Sequence, residues 1–377
     1  MSKTTKGAEY TLPDAPSDGI STVRFSPTEP GRLLATSWDT TLRLYDVERP
    51  ALLGKYETSA AVLDACYMGS NPKRVFSVGL DPAVRGWDLE TRTQVTLGSH
   101  EGPVRCVRYS DLHGVAVTGS WDKTVGIWDP RSTAVQPVGR IDVGSGGSGD
   151  NDGSATVIAA WAKSDPAPGS VTDPVTQYGR YMQPERIFSL DIVGHIAVVA
   201  MAERHIYLYD LRNMKETLQR RESSLKYMTR CVSCMPNGKG YVCSSIEGRI
   251  AVEFIDPDPA VQANKYAFKC HRRQAEGVDV VYPVNALAFH PTYGTFASGG
   301  SDGMVYTWDG ANKKRLRSYP RHPSSVSSLD FNCNGSLLAV ASSYTFDEGE
   351  KDHPEDAIYI HPIGPEEAKP KKVESKA

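Results

Sequence analysis

The 377-residue chain has almost no net charge: 42 Lys and Arg stand against 45 Asp and Glu, a formal −3. That balance gives no overall pull toward DNA or RNA, so any anion site has to be local. Long apolar runs are missing too, and none approaches the ~18 residues of a membrane span. The opening MSKTTKGAEY has no apolar core, so neither a secretory signal nor a membrane location is expected. Cysteine is sparse, with seven residues scattered along the chain. An odd, scattered set argues against a disulfide framework and fits reduced thiols in the cytosol or nucleus. Catalytic signatures are absent: no GxSxG elbow, P-loop, HExxH or kinase motif occurs. The Gly-rich run 144–149 lies in linker sequence rather than between a strand and a helix, so it makes no phosphate cradle. No catalytic residue, metal or cofactor is expected, and the chain reads as a non-enzyme. Nor does any long stripe of helical period compete with the pattern that is present.

That pattern is a repeat. Ser37-Trp38-Asp39 leads to Leu44-Tyr45-Asp46, Gly79-Leu80-Asp81 to Gly86-Trp87-Asp88, and Gly119-Ser120-Trp121-Asp122 to Trp128-Asp129. Ser301-Asp302-Gly303 leads to Trp308-Asp309, and degenerate copies end at Tyr209-Asp210 and Ile255-Asp256. Asp46, Asp88 and Asp129 lie 42 and 41 residues apart, the period of four-stranded propeller blades. Within copies, Val23/Phe25, Val107/Tyr109, Leu287/Phe289 and Leu329/Phe331 alternate with period two. Asn237-Gly238, Asp302-Gly303 and Asn334-Gly335 supply the positive φ of tight hairpins. Asn334-Gly335-Ser336 also spells a glycosylation sequon, which reads here as a turn. These "WD" endings resemble the WD-repeat family.

The expected fold is all-β: a seven-bladed WD-repeat β-propeller over 8–364, with blades at about 19–47, 58–89, 99–130, 184–212, 225–256, 282–310 and 324–363. An open ring would leave exposed sheet edges, so Glu9–Leu12 is expected to pair with the last blade. Asp129 to Asp210 spans 81 residues, about one blade too many. The excess includes GSGGSGDNDG and SDPAPGS, which cannot bury enough apolar area to offset ordering. Residues 142–180 are expected to form a disordered insertion between blades three and four. Val157–Ala162 inside it is an apolar island, read as a transient helix or a docking peptide. The polar tail 365–377 is expected to be disordered.

Several side chains are candidates for chemistry. Trp38 and Trp121 precede the turn Asp between second and third strands, on one rim, where each either packs on a neighbouring loop or anchors a partner peptide. Trp87, Trp128 and Trp308 lie on strands and should pack between blades. Cys231 and Cys234 form a lone CxxC. On a strand, residues three apart face opposite ways, so a shared metal is not expected. His100, before Glu101-Gly102, resembles the structural histidine of the WD-repeat family, which implies a bond to the turn residue Asp122.

Arg230 opens the first strand of the fifth copy, and Arg249 follows the Ile246-Glu247-Gly248 turn into its third. Antiparallel neighbours lie about 4.8 Å apart, so the two guanidiniums are expected to converge on one rim around a phosphate, whose geometry suits arginine. The alternative is pairing with Glu222, Glu247 or Glu253. Glu222 could instead hold a basic group of a partner, and Lys226 is a third cation nearby.

The stretches RRESSLKYMTRC, SSIEGRIAVEF, KYAFKCHR, YPVNALAFH, GGSDG and HPEDAIYI resemble the mitotic checkpoint proteins of the "budding uninhibited by benzimidazole" group, third member, along nearly the whole chain. The sister family, the messenger-RNA export factor of the nuclear pore, shares LKY, IEGR and FKCHR but departs around YPVN and HPED. The resemblance implies a kinetochore adaptor of the spindle assembly checkpoint, nuclear and then kinetochore-bound in mitosis, and monomeric without partners. It implies that one rim binds a short segment of the checkpoint kinase and its kinase-like relative, through Trp38, Trp121 and Glu222. It further implies that phosphothreonine in Met-Glu-Leu-Thr repeats of the kinetochore scaffold is read by Arg230, Arg249 and Lys226. Neither nucleic acid nor membrane is an expected direct partner. The alternative is an RNA-export adaptor that binds a nucleoporin segment through the same rim.

Overall fold

Seven inner strands begin the blades: Ile20–Phe25, Val62–Met68, Val104–Ser110, Ile187–Val193, Thr229–Cys234, Val284–Phe289 and Val326–Phe331. The computed structural model describes residues 8–69, 71–131, 136–140 (backbone only) and 179–370. Each inner strand contacts the inner strands before and after it, and the seventh contacts the first, so the ring is closed. Every blade adds a second, third and outer strand in antiparallel order, giving the seven-bladed β-propeller that the repeat period indicates.

The period-two alternation is what lets each sheet serve two interfaces. In blade five, Val232, Cys234, Tyr241 and Cys243 pack against Val198 and Leu208 of blade four. The intervening Val242, Ile250 and Val252 pack against Val284, Leu287 and Trp308 of blade six, with Cys231 beside them. Burying each such side chain contributes about 1.5–3 kcal/mol relative to exposure. The same alternation sends Cys231 and Cys234 to opposite faces, as their spacing requires. Among the described residues no group of three or more potential metal ligands exists.

Polar links tie blade to blade. His100 Nδ1 lies 3.2 Å from Asp122 and 2.7 Å from Thr124 Oγ1, its Nε2 lies 2.7 Å from Thr118 Oγ1, and Trp128 Nε1 donates to that same hydroxyl at 2.7 Å. His271 repeats the arrangement with Asp302, Ser298 and Trp308. Along the channel, Asp64, Asp191 and Asp330 accept from the backbone N–H of Val107, Cys234 and Phe25 in the next blade, at 3.0, 2.7 and 2.7 Å. Burial pushes the Asp330 carboxyl up to about 6.

The seam is closed as expected. Tyr10 pairs with Ile360 and Thr11 with Tyr359, and Leu12 N–H donates to Ile358 at 2.9 Å. Two boundaries differ from the sequence reading. Gly179–Met182 forms the outer strand of blade three, paired with Thr124–Ile127, so 179 and 180 belong to the blade. Gln136–Arg140 extends blade two as a fifth strand. The rest of the expected insertion, with Val157–Ala162, lies outside the described residues. The tail is also not wholly disordered, because Pro365–Ala368 is a short helix with Glu367 only 2% exposed. Arg317 pairs with Glu367 at 2.8 Å and Thr295 donates to the Ala368 carbonyl at 2.7 Å. A polar composition hid a carboxylate that is buried because it is paired. Residues 371–377 lie outside the described residues.

Candidate partner-binding rim

The starts of first and third strands and the ends of second and outer strands share one rim, so topology alone gathers Trp38, Trp121, Glu222, Lys226, Arg230 and Arg249 on it. Trp38 and Trp121 occupy equivalent three-residue turns, with backbone N–H groups donating to Gly19 and Pro103 at 2.9 Å. Trp38 is 45% exposed. The Trp121 indole N–H is shut from solvent with no hydrogen-bond partner among the described residues, and so is the Thr229 hydroxyl. Unpaired buried donors are costly, so both groups lower the stability of this part of the rim.

Between the two tryptophans lies a cavity of about 600 Å³ at the mouth of the channel. The second residue of every first strand lines it: Ser21, Leu63, Arg105, Phe188, Arg230, Asn285 and Ser327. This inner circle holds two guanidiniums and no acid. Burial lowers the Arg230 pKa and the like charge of Arg105 adds to that, while Asp347 acts against it. Arg230 Nε donates to Asn285 Oδ1 at 3.1 Å, and its Nη2 lies 3.9 Å from Asp347 in the long loop of blade seven.

Arg249 is placed differently. The expectation that it converges with Arg230 assumed neighbouring strands, but the sheet order sets the second strand between first and third, which puts them about 10 Å apart. Arg249 Nε lies 3.2 Å from Glu247 Oε2, the pairing offered as the alternative. Its true cross-strand neighbour is Lys269 of the outer strand, directly opposite in register and exposed. Gly248 fixes the entry to that strand. It has φ +60°, and a Cβ there would stand 2.6 Å from the Cys270 carbonyl oxygen. Glu222 ends the outer strand of blade four, is ion-paired with Arg204, and keeps 63% of its side chain exposed. Glu253 is buried and accepts from Ser224 at 2.7 Å. Lys226 is exposed on the connection into blade five.

The geometry therefore brings together Trp38, Trp121 and Arg230, and separately Arg249 and Lys269. Sequence reasoning missed Arg105, Asn285, Lys269 and Asp347. Arg105 carried a usable signal: Val104-Arg105-Cys106 occupies the same place in its copy as Thr229-Arg230-Cys231. Lys269 did not, because an eleven-residue connection, 255–265, decides its register.

A closed ring of seven antiparallel blades, most of whose third strands end in Trp-Asp or a near copy of it, defines a class, the WD-repeat propellers. The "WD domain, G-beta repeat" model matches residues 8–46, 91–129, 277–309 and 313–346. In fold the chain is similar to the solved structure titled "Structure of U3-55K", with a TM-score of 0.70 at 14% identity, covering 94% of this chain and 98% of that one. In sequence it is 49% identical to mitotic checkpoint protein BUB3.1 of Arabidopsis thaliana, over 98% of this chain and 97% of the relative. It is 42% identical to mitotic checkpoint protein bub3 of Dictyostelium discoideum, over 96% and 97%. The Poly(A)+ RNA export protein of Schizosaccharomyces pombe stands at 33%, over 94% and 91%. The chain belongs to the Bub3 family of mitotic checkpoint proteins.

Proposed function

We propose that the chain is a non-catalytic adaptor of the spindle assembly checkpoint, nuclear and then kinetochore-bound in mitosis. In this reading the mouth of the ring docks a short segment of the checkpoint kinase and its kinase-like relative, and a neighbouring patch reads phosphothreonine in the kinetochore scaffold. The observation that carries it is the cavity of about 600 Å³ in which Trp38, Trp121 and Arg230 meet. The tryptophans supply rigid apolar area for a peptide. Arg230, held by Asn285 and beside Arg105, offers a charge-assisted bond to an acidic side chain of that peptide. Glu222 exchanges its surface partner Arg204 for a basic group of the segment. The phosphothreonine falls to Arg249 with Lys269, and Lys226 adds to the same field. A phosphate carries more charge than Glu247 and would displace it, because a partly exposed ion pair is worth only about 0–1 kcal/mol.

Titrating purified protein with a synthetic kinase-segment peptide, and with phosphorylated and plain Met-Glu-Leu-Thr peptides, tests both halves. Trp121→Ala should weaken the first, and Arg249→Ala should remove the preference for phosphate in the second. The export-adaptor reading has less behind it, since the RNA-export relative is 33% identical against 49% for the checkpoint relative. Retention on a nucleoporin segment rather than the kinase segment would favour it.

A further inference from the structure

We propose that the long loop of blade seven is a built-in competitor for the channel mouth, with Asp347 holding Arg230 until a partner's acidic group displaces it. The inference rests on the reading that the mouth docks an acidic segment.

Six blades join their second and third strands with three or four residues, whereas blade seven uses fourteen, 343–356. The extra length is folded inward rather than away. Tyr344, Thr345 and Phe346 line the same cavity as Trp38 and Trp121. Phe346 is 65% exposed and has φ +61°, a left-handed conformation that an aromatic residue rarely adopts. Local bonds hold this shape: Gly349 N–H donates to the Phe346 carbonyl at 3.2 Å, and the Tyr344 hydroxyl accepts from Glu348 N–H and donates to the Gly349 carbonyl, both at 2.9 Å. Asp347 then reaches across the ring. It accepts from Thr345 Oγ1 at 2.7 Å and from the Ser301 hydroxyl of blade six, and its Oδ1 faces Arg230 of blade five.

The two ends of this link differ in strength. Arg230 is fixed on the protein side by Asn285, whose amide in turn donates to Ser301 Oγ at 3.0 Å. On the outer side, Asp347 stands at 3.9 Å with both side chains partly exposed, which makes a weak pair. The guanidinium is thus pre-oriented, while the carboxylate it faces is replaceable. A loop that has to open before an acid can reach Arg230 lowers the apparent affinity of every such ligand by one factor. For an ion pair of this kind that factor is about two- to fivefold. A partner that also grips Trp38 would displace Phe346 in the same movement.

The test has two arms. Without any peptide, hydrogen exchange at residues 345–349 should speed up in Asp347→Asn and equally in Arg230→Ala, with no further gain in the double variant and with blade-three strands unchanged. Unaltered exchange in both single variants overturns the latch, whatever the peptide arm shows. In the second arm, a synthetic kinase-segment peptide should bind Asp347→Asn about two- to fivefold more tightly than wild type. It should bind Arg230→Ala and the double variant alike. Equal binding of wild type and Asp347→Asn, or the same gain in the Arg230→Ala background, overturns the competitor. A wild-type protein that ignores the peptide while the exchange effect is present overturns the docking reading instead, and the competitor with it.

Discussion

Two arginines of the same blade end up in different surroundings. Arg230 is turned into the mouth by Asn285, while Arg249 lies beside Glu247 and opposite Lys269. Their types and places on the rim were legible in the sequence; their directions were not. Direction depends on Asn285 and Asp347, which are 55 and 117 residues from Arg230, and no local pattern encodes such pairings. At this scale, Trp121→Ala should weaken the kinase-segment peptide by about 2 kcal/mol or more, the loss typical of a buried aromatic anchor. The melting temperature should stay close to wild type, because the ring interfaces do not rest on that indole. Unfolding of the variant would show that Trp121 serves the fold.

At the scale of the strand and its turn, the period-two pattern and the "WD" endings made the blades readable, and the resemblance to the WD-repeat family implied the His100–Asp122 contact. The neighbour order was legible as well, since the Asn237-Gly238 hairpin joins first to second strand and the Ile246-Glu247-Gly248 turn joins second to third; the expected convergence of Arg230 and Arg249 overlooked the second strand between them. The fate of the long interval after Asp129 was hidden, since Gln136–Arg140 joins blade two and Gly179–Met182 then forms the outer strand of blade three. The Ile246-Glu247-Gly248 turn is the element on which Arg249 depends. Gly248→Ala should destabilise the protein by more than about 1 kcal/mol, because φ is positive and the added Cβ meets the Cys270 carbonyl oxygen. Chemical denaturation would measure this. A variant as stable as wild type would mean the turn can relax and that Gly248 does not fix the position of Arg249.

For the ring as a whole, burial lowers the pKa of His100, His290 and His322. A buried histidine kept neutral contributes stability that is present above its unfolded pKa and lost as pH falls below about 6.5. Asp330, pushed up to about 6, and Asp356, also raised by burial, have the opposite sign and act against the histidines. Stability should therefore hold above pH 7 and decline between about pH 6.5 and 5, before the paired carboxylates protonate. Denaturation midpoints across that range check it, and a midpoint that rises on acidification would contradict it. In the proposed reading, the closed ring holds one patch of its rim in place to distinguish a modified threonine. The most direct measurement is calorimetry of the protein with the kinase segment bound, against phosphorylated and plain Met-Glu-Leu-Thr peptides. The phosphorylated peptide should bind at least about tenfold more tightly, as one charge-assisted bond of about 1.5–3 kcal/mol implies, and Arg249→Ala should lose that difference. Coincident titration curves for the two peptides with wild-type protein would contradict it.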